Sequence, residues 1–280
     1  MKPFTYHTHS TYCDGKNTLS EMAEAARRAG LDSLGLSCHS HVSHDPVGCI
    51  APDRVEDFKR EIRELEGIYA PLGMDIFLGI EQDGLSEPIA APDSFDYIIG
   101  SMHYVTVGDD HVTIDSKKSY FDNLEKYFGG DAIALAIEYY KSMESLYRRT
   151  GCGIVGHIDI VTKFNEGGIL FDERNPKYEN AALSAIERLA EDGLIFEINT
   201  GAMARGYRTE PYPSSRLLSM IREAGGRVTY SSDCHDSDYL TYGFELACQL
   251  ARRCGFDCLM KLRRTPSGCE FYPEEIEVTK

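Results

Sequence analysis

Two histidines near the start of the chain, His7 and His9, are separated by a single residue and follow a short apolar stretch. On an extended strand, residues i and i+2 point to the same face, so both imidazoles can reach one metal ion. Asp14 follows in the turn-like sequence Cys13-Asp14-Gly15. Neutral imidazole together with carboxylate suits zinc, iron or manganese. Because a lone His-x-His pair is weak evidence for a metal site, the interpretation depends on whether other residues complete it.

The rest of the chain alternates between short apolar runs and longer amphipathic segments, which predicts strands alternating with helices. The predicted strands are residues 4–6, 33–37, 76–80, 97–101, 154–156, 195–199 and 228–231. The predicted helices are residues 19–29, opened by a capping box of Thr18 and Glu21, and residues 53–69, 131–149, 178–191, 214–224 and 239–253. Residues 104–118 are interpreted as a polar loop, and residues 258 to about 272 as a terminal hairpin.

Six of the seven predicted strands finish on His, Glu or Asp side chains, which are His7, His9, His39, Glu81, His103, His157, Asp233 and His235. The carboxyl ends of parallel strands open on one face of an α/β protein. In an open sheet these ends form a line, whereas a closed sheet brings them around one centre. We therefore predict a single α/β domain with a barrel of seven strands, since no Ser-, Gly- or Pro-rich linker divides the chain.

A histidine taken alone is more often an ordinary polar or capping residue than a metal ligand. This chain has nine histidines, however, and six of them fall at predicted strand ends, which chance placement does not explain. Together with Asp14, Glu81 and Asp233, these six form the predicted ligand set of a metal site. The other three histidines are interpreted as rim or surface residues: His41, His44 and His111.

In Asp233-Cys234-His235, the same spacing rule puts the aspartate and the histidine on one face and the thiol on the other. By the same argument, Cys13 and Cys38 are interpreted as neighbours of ligands rather than ligands. Soft thiolate ligands are the alternative.

The overall composition narrows the function classes. The net charge of −16 over 280 residues disfavours binding to nucleic acid or to an anionic membrane surface, both of which require basic patches. No apolar run approaches the roughly 18 residues of a membrane span. The nine cysteines form no CxxC pair, and the first residues lack the apolar run of a secretory signal, so we expect a cytoplasmic protein with reduced thiols. No oligomeric state is predicted.

Over essentially its full length, residues 1–280, the chain resembles the PHP (polymerase and histidinol phosphatase) superfamily. The motifs that carry the resemblance are His7-x-His9, Asp14, Gly35-Leu36-Ser37-x-His39, Gly79-Ile80-Glu81, Gly100-Ser101-x-His103, Gly156-His157 and Ser232-Asp233-x-His235. The resemblance implies a distorted (β/α)7 barrel. Cys38 stands where many members have Asp, and Asp14 stands where some have His.

Within the superfamily, the chain is most similar to the PHP-type histidinol-phosphate phosphatases. This similarity rests on Glu197-Ile198-Asn199-Thr200, on Glu210-Pro211-Tyr212-Pro213-Ser214 and on residues 97–103. It implies hydrolysis of L-histidinol phosphate to L-histidinol and phosphate, in histidine biosynthesis, with two or three divalent ions of zinc, manganese or iron. The ligand sets implied by the resemblance are His7, His9, Glu81 and Asp233 for one ion, Asp14, His39 and His235 for a second, and Glu81, His103 and His157 for a third.

Adjacent metal ions can bind phosphoryl oxygens, activate water and stabilise charge on the leaving oxygen. We therefore expect in-line attack on phosphorus by a metal-bound hydroxide, without a phosphoenzyme. Glu81, Asp233 and His235 are the residues expected to take part in catalysis. Fixed cations near the strand ends are candidates for binding the substrate phosphate: Arg205 and Arg208 after the sixth predicted strand, and Lys163 after the fifth.

Three alternatives stay open on the sequence. The chain could be another PHP hydrolase, acting on phosphotyrosine, nucleotides or the 3′ ends of nucleic acid, although its acidity disfavours the exonuclease. It could be a PHP-like module without activity, although such modules usually lose several ligands. It could be a metal-dependent amidohydrolase, a class that usually has eight strands and a bridging lysine, whereas no lysine ends a predicted strand here.

Overall fold

The computed structural model describes residues 2–89 and 91–276. Seven parallel strands form the central sheet: β1 (Phe4–Thr5), β2 (Ser33–Leu36), β3 (Asp75–Asp83), β4 (Tyr97–Ser101), β7 (Ile154–Val155), β8 (Ile195–Asn199) and β9 (Arg227–Ser231). They lie side by side in this order, so each strand pairs with the next one along the chain. All seven fall where the sequence predicts strands.

The first and last strands of this sheet come together at their carboxyl ends. Thr8 and Cys234 form a parallel β-bridge, and the amide of His9 donates to the carbonyl of Cys234 at 3.0 Å. Near the other end, the amide of Phe4 donates to the hydroxyl of Tyr230 at 3.3 Å. The sheet is therefore a nearly closed barrel, as predicted, and its carboxyl ends surround a single centre.

Helices pack around the outside of the barrel: α1 (Leu19–Arg28), α2 (Val55–Tyr69), α3 (Lys117–Phe128), α4 (Ala132–Met143), α5 (Leu146–Thr150), α6 (Pro176–Glu191), α7 (Gly201–Ala204), α8 (Ser215–Glu223) and α9 (Phe244–Arg253). The predicted capping box is present at α1, where Thr18 Oγ accepts from the amide of Glu21, and Glu21 Oε2 accepts from the amide of Thr18. Within the described ranges, none of the helices combines the length and the apolar character needed to cross a membrane.

Two local predictions were wrong. Residues 104–118 are not a loop: β5 (Tyr104–Val107) and β6 (Asp110–Thr113) form an antiparallel hairpin around Gly108, which has a positive φ of 61°, and α3 begins at Lys117. The predicted helix at 131–149 is broken into α4 and α5, because Ser145 leaves the helical conformation and its hydroxyl and amide both bond the carbonyl of Ser142.

The C-terminal hairpin consists of β10 (Cys258–Thr265) and β11 (Gly268–Glu275). The amide of Leu262 donates to the hydroxyl of Tyr6, Lys261 pairs with Asp32 just before β2, and Arg264 donates to the carbonyl of Ile76 at the start of β3. These contacts place the hairpin against the amino ends of the strands, opposite the face where the ligand-type residues gather.

The interior of the barrel depends on a close fit between one aromatic ring and two glycines. The Tyr97 hydroxyl donates to the carbonyl of Tyr6, and the Tyr97 ring lies over Gly35 and Gly79. A Cβ added at Gly79 would lie 2.1 Å from Cζ of Tyr97, and one at Gly35 would lie 2.1 Å from the Tyr97 hydroxyl oxygen. The motif glycines therefore leave room for a buried tyrosine beside the strand that carries Glu81.

We expect Gly79→Ala to lower the free energy of unfolding by about 1–3 kcal/mol, because the added methyl group must displace a packed ring. The matched control is Gly67→Ala in α2, where nothing lies within 4 Å of the added Cβ. That control should be neutral or more stable by up to about 1 kcal/mol, since alanine favours a helix over glycine. Urea unfolding of the two variants checks the fit; equal stability of Gly79→Ala and the wild type would contradict it.

Candidate metal centre

The nine residues predicted as metal ligands converge at the carboxyl ends of the barrel strands. Among the described residues they form four overlapping groups, within each of which the potential ligand atoms lie no more than 4.8 Å apart. The groups are His9, Asp14, His39 and His235; His7, His9 and Asp233; His7, Glu81 and His157; and His39, Glu81 and His103. All four consist of imidazoles and carboxylates, and none includes a thiol.

Glu81 lies at the middle of this arrangement and is fully buried. Its Oε2 is 2.7 Å from Nδ1 of His39 and 3.1 Å from Nε2 of His7. Its Oε1 is 3.1 Å from Nε2 of His157 and 3.5 Å from Nε2 of His103. Nε2 of His9 also lies 3.6 Å from Oε2. The two oxygens of one carboxylate thus face two different sets of imidazoles.

Two aspartates complete the other side of the centre. Oδ1 of Asp233 lies 3.2 Å from Nε2 of His9 and 3.8 Å from Nε2 of His7. Oδ1 of Asp14 lies 3.3 Å from Nε2 of His235 and 3.6 Å from Nε2 of His39. Asp14 is the more exposed of the two aspartates, and it marks the outer edge of the centre.

The candidate groups overlap, so the division of the ligands among ions stays a prediction. His157 shares a group with His7 and Glu81, and His103 shares a group with His39 and Glu81. Oε1 of Glu81 at the same time faces both His103 and His157.

The residues present fit divalent cations. His7 Nε2, His9 Nε2 and Glu81 Oε2 are buried and lie close to one another, yet none of them makes a hydrogen bond among the described residues. Buried polar atoms without a hydrogen bond are costly, and a bound cation would satisfy all three at once. Imidazole and carboxylate are also the donor types that zinc, manganese and iron accept in proteins.

The charges of the side chains in the centre also favour cations. Burial alone would raise the pKa of Glu81, but the imidazoles of His7, His39 and His103 outweigh it and hold this pKa well below its usual value. Burial would lower the pKa of His39, but Glu81 and Asp14 raise it to about 10. The carboxylates are therefore ionised, and divalent cations would compete with protons for the imidazoles.

Two acidic residues that the sequence analysis did not assign to the site hold its histidines in position. Glu197 Oε1 accepts from Nδ1 of His7 at 2.7 Å, and its Oε2 accepts from the amide of His157 at 2.9 Å. Asp83 Oδ2 is 2.7 Å from the amide and 3.1 Å from Nδ1 of His103. A hydrogen bond at Nδ1 leaves Nε2 of the same ring free for a metal. Strand alternation could have indicated Asp83, which lies two residues after Glu81 on β3.

The three predicted phosphate-binding cations occupy different places. Arg205 touches the ligand set: it donates to the carbonyl of Asp233 at 3.0 Å and to Asp233 Oδ2 at 3.1 Å, and its NH1 lies 3.0 Å from Nδ1 of His235. Lys163 is buried and donates to Asp115 Oδ1 at 2.5 Å. Arg208 donates to Glu173 at 3.1 Å. Only the first of these side chains contacts a predicted ligand within the described part of the chain.

The histidines interpreted as rim or surface residues do not join the four groups. His44 and His111 are exposed, and their ring centroids are 4.5 Å apart beside Tyr104. His41 is half-buried.

The fold and the site define a barrel protein with a candidate metal centre at the carboxyl ends of its strands. A family model described as the PHP domain matches residues 5–201, so the chain belongs to the PHP family. Asp233 and His235 lie beyond the matched segment, and the barrel brings them back to it.

Relatives with similar sequences carry one name. A Schizosaccharomyces pombe protein named "Probable histidinol-phosphatase" is 24% identical over 95% of this chain and 91% of its own length. A Deinococcus radiodurans protein of the same name is 27% identical over 89% of this chain and 92% of its own length.

Two solved structures share the fold. The protein named hisK from Listeria monocytogenes aligns with a TM-score of 0.76 at 17% identity, over 87% of this chain and 99% of its own. Histidinol phosphate phosphatase from Lactococcus lactis, crystallised with zinc, L-histidinol and phosphate, aligns with a TM-score of 0.69 at 18% identity, over 93% of this chain and 96% of its own. The predicted single-domain barrel is confirmed.

We expect Glu197→Gln to weaken zinc binding by about 10–100-fold. The neutral amide is a weaker partner than the carboxylate for Nδ1 of His7, so the ring is less firmly held with Nε2 toward the metal. Titration of the metal-free protein with zinc against a chelating indicator measures this affinity. The control is Glu187→Gln on α6, where the side chain is exposed and belongs to none of the four ligand groups. Zinc affinity in Glu197→Gln equal to that of the control would contradict the role given to Glu197.

Proposed function

We propose that this chain is a metal-dependent phosphomonoesterase that hydrolyses L-histidinol phosphate to L-histidinol and phosphate. The observation that carries the proposal is the buried carboxylate of Glu81, whose two oxygens face two sets of imidazoles within a cluster of nine convergent ligand-type residues. The names of the relatives in Schizosaccharomyces pombe and Deinococcus radiodurans support the choice of substrate. The zinc, L-histidinol and phosphate held by the Lactococcus lactis structure support it as well.

The proposed ligands are the nine convergent residues: His7, His9, Asp14, His39, Glu81, His103, His157, Asp233 and His235. Two or three divalent ions held there would lower the pKa of water and neutralise charge on phosphoryl oxygens. Zinc, manganese and iron all suit this donor set.

Charged side chains around the centre have different proposed roles. The guanidinium of Arg205, beside Asp233 and His235, is placed to attract a phosphoryl oxygen at the centre. Asp233 keeps its negative charge: burial raises its pKa, but Arg205 and His7 outweigh burial and hold it well below its usual value. Lys163 and Arg208 act at most indirectly on the phosphate, since Asp115 and Glu173 already engage them.

The test is a comparison of kcat/KM across phosphomonoesters with enzyme reconstituted in manganese, iron or zinc. We expect kcat/KM for histidinol phosphate to exceed that for phosphotyrosine, nucleoside monophosphates and p-nitrophenyl phosphate by about tenfold or more, since a matched site gains about 1–3 kcal/mol over a mismatched one. Activity should vanish on chelation and return with metal. A higher kcat/KM for phosphotyrosine or a nucleotide would show that the proposed substrate is wrong. Inactivity of the reconstituted protein on the whole panel would overturn the proposal.

A further inference from the structure

A cavity of about 190 Å³ opens beside the candidate metal centre and reaches away from it toward the surface. His39, Glu81 and His103 line its inner end. Its outer part is lined by the segment after β2 and by the β5–β6 hairpin, including Asp45 and Tyr104. No Lys or Arg is among the described residues that line it. The cavity therefore connects the centre to a wall that carries negative charge.

Asp45 is the carboxylate on this wall whose charge is not neutralised by the protein. Asp83 already holds His103, and Asp115 is paired with Lys163. Asp45 accepts a hydrogen bond from the Tyr104 hydroxyl at 3.0 Å, and within the described ranges no Lys, Arg or His lies within ion-pair distance of it. Since Tyr104 is neutral, the hydrogen bond fixes the carboxylate without cancelling its charge.

Ser40 gives a second and independent indication of a ligand. Its side chain is 5% exposed, and its Oγ has no hydrogen-bond partner in the part of the chain that the structure describes. The residue follows His39 directly and lines the same cavity. A buried hydroxyl without a partner calls for a polar group in the cavity to bond it.

We propose that Ser40 and Asp45 form a subsite for the positively charged organic half of the substrate. This subsite rests on the proposed function and adds that the alcohol half of the substrate must carry a positive charge. An ammonium group on the carbon next to the phosphate-bearing carbon would donate to Ser40 Oγ and pair with the Asp45 carboxylate. Val42, buried in the same wall, offers an apolar contact for the rest of the alcohol.

This subsite gives the two halves of the substrate opposite electrostatic partners. The phosphate half meets the metal centre and Arg205, which does not line the cavity. The organic half meets Asp45. A phosphomonoester of a neutral alcohol gains only the first set of contacts, so the enzyme should select cationic phosphomonoesters over neutral ones of similar size.

The test is Asp45→Asn, which keeps an oxygen that can accept from Tyr104 and removes only the charge. KM for histidinol phosphate should rise roughly tenfold to hundredfold, the range expected for one lost charged hydrogen bond. kcat should change less than about twofold, because the metal centre is intact, and KM for glycerol 2-phosphate should stay the same. Ser40→Ala should shift the same KM in the same direction by a smaller factor.

The matched control is Asp109→Asn. Asp109 is exposed at the turn of the β5–β6 hairpin and lines neither the cavity nor the neighbouring surface depression that Asp45 also borders. Both kinetic constants of this control should equal those of the wild type for both substrates. A similar KM rise for histidinol phosphate in the control would assign the effect to overall charge and overturn the subsite.

Calorimetric titration with the products separates this inference from the proposed function. Asp45→Asn should bind L-histidinol about tenfold or more weakly than the wild type and bind inorganic phosphate equally well. If the wild type hydrolyses histidinol phosphate and Asp45→Asn changes neither KM nor histidinol binding, the subsite is wrong and the proposed function stands. If the wild type binds no histidinol, the subsite is wrong; if it also fails to hydrolyse histidinol phosphate, the proposed function fails with it.

Discussion

A fully buried carboxylate surrounded by imidazoles is the interaction on which the site depends. Isolating an ionised carboxylate from water is costly, and the cost is tolerable only where opposite charge is supplied. Glu81 is faced by five histidines, with His7, His9 and His39 at Oε2 and His103 and His157 at Oε1. Two of these rings are held in position by Glu197 and Asp83, which bond the Nδ1 atoms of His7 and His103 and direct Nε2 inward. The whole arrangement carries an excess of carboxylate that divalent cations would balance.

The barrel gathers these carboxylates at one place because its strands are parallel and its sheet is nearly closed. The bridge between Thr8 and Cys234 brings the two ends of the chain's sheet together, so Asp233 reaches His9 across more than two hundred residues of sequence. The glycines that accommodate Tyr97 keep β3 close to its neighbours, and β3 carries Glu81. Closing the sheet therefore also brings the residues of the centre together.

The sequence predicts the residues of the centre better than what surrounds them. Strand ends were recognisable because His, Glu and Asp interrupt apolar runs, and parallel strands must end on one face. Glu197 was not assigned because β8 is buried on both sides and shows no alternation that separates inward from outward residues. The pairing of Lys163 with Asp115 joins residues 48 positions apart and leaves no local signal. The β5–β6 hairpin was missed because a Gly-Asp turn between short, partly polar strands has the composition of a loop.

The proposed metal centre requires Glu81, whose two oxygens face different sets of imidazoles, to lie between at least two metal ions. Anomalous diffraction from crystals of the zinc-loaded protein tests it directly. We expect at least two zinc peaks, one on the Oε2 side of Glu81 near His7 and His39 and one on the Oε1 side near His103 and His157, with ligand distances of roughly 2.0–2.2 Å. A single zinc peak, or zinc ions that leave one oxygen of Glu81 without a metal, would contradict it.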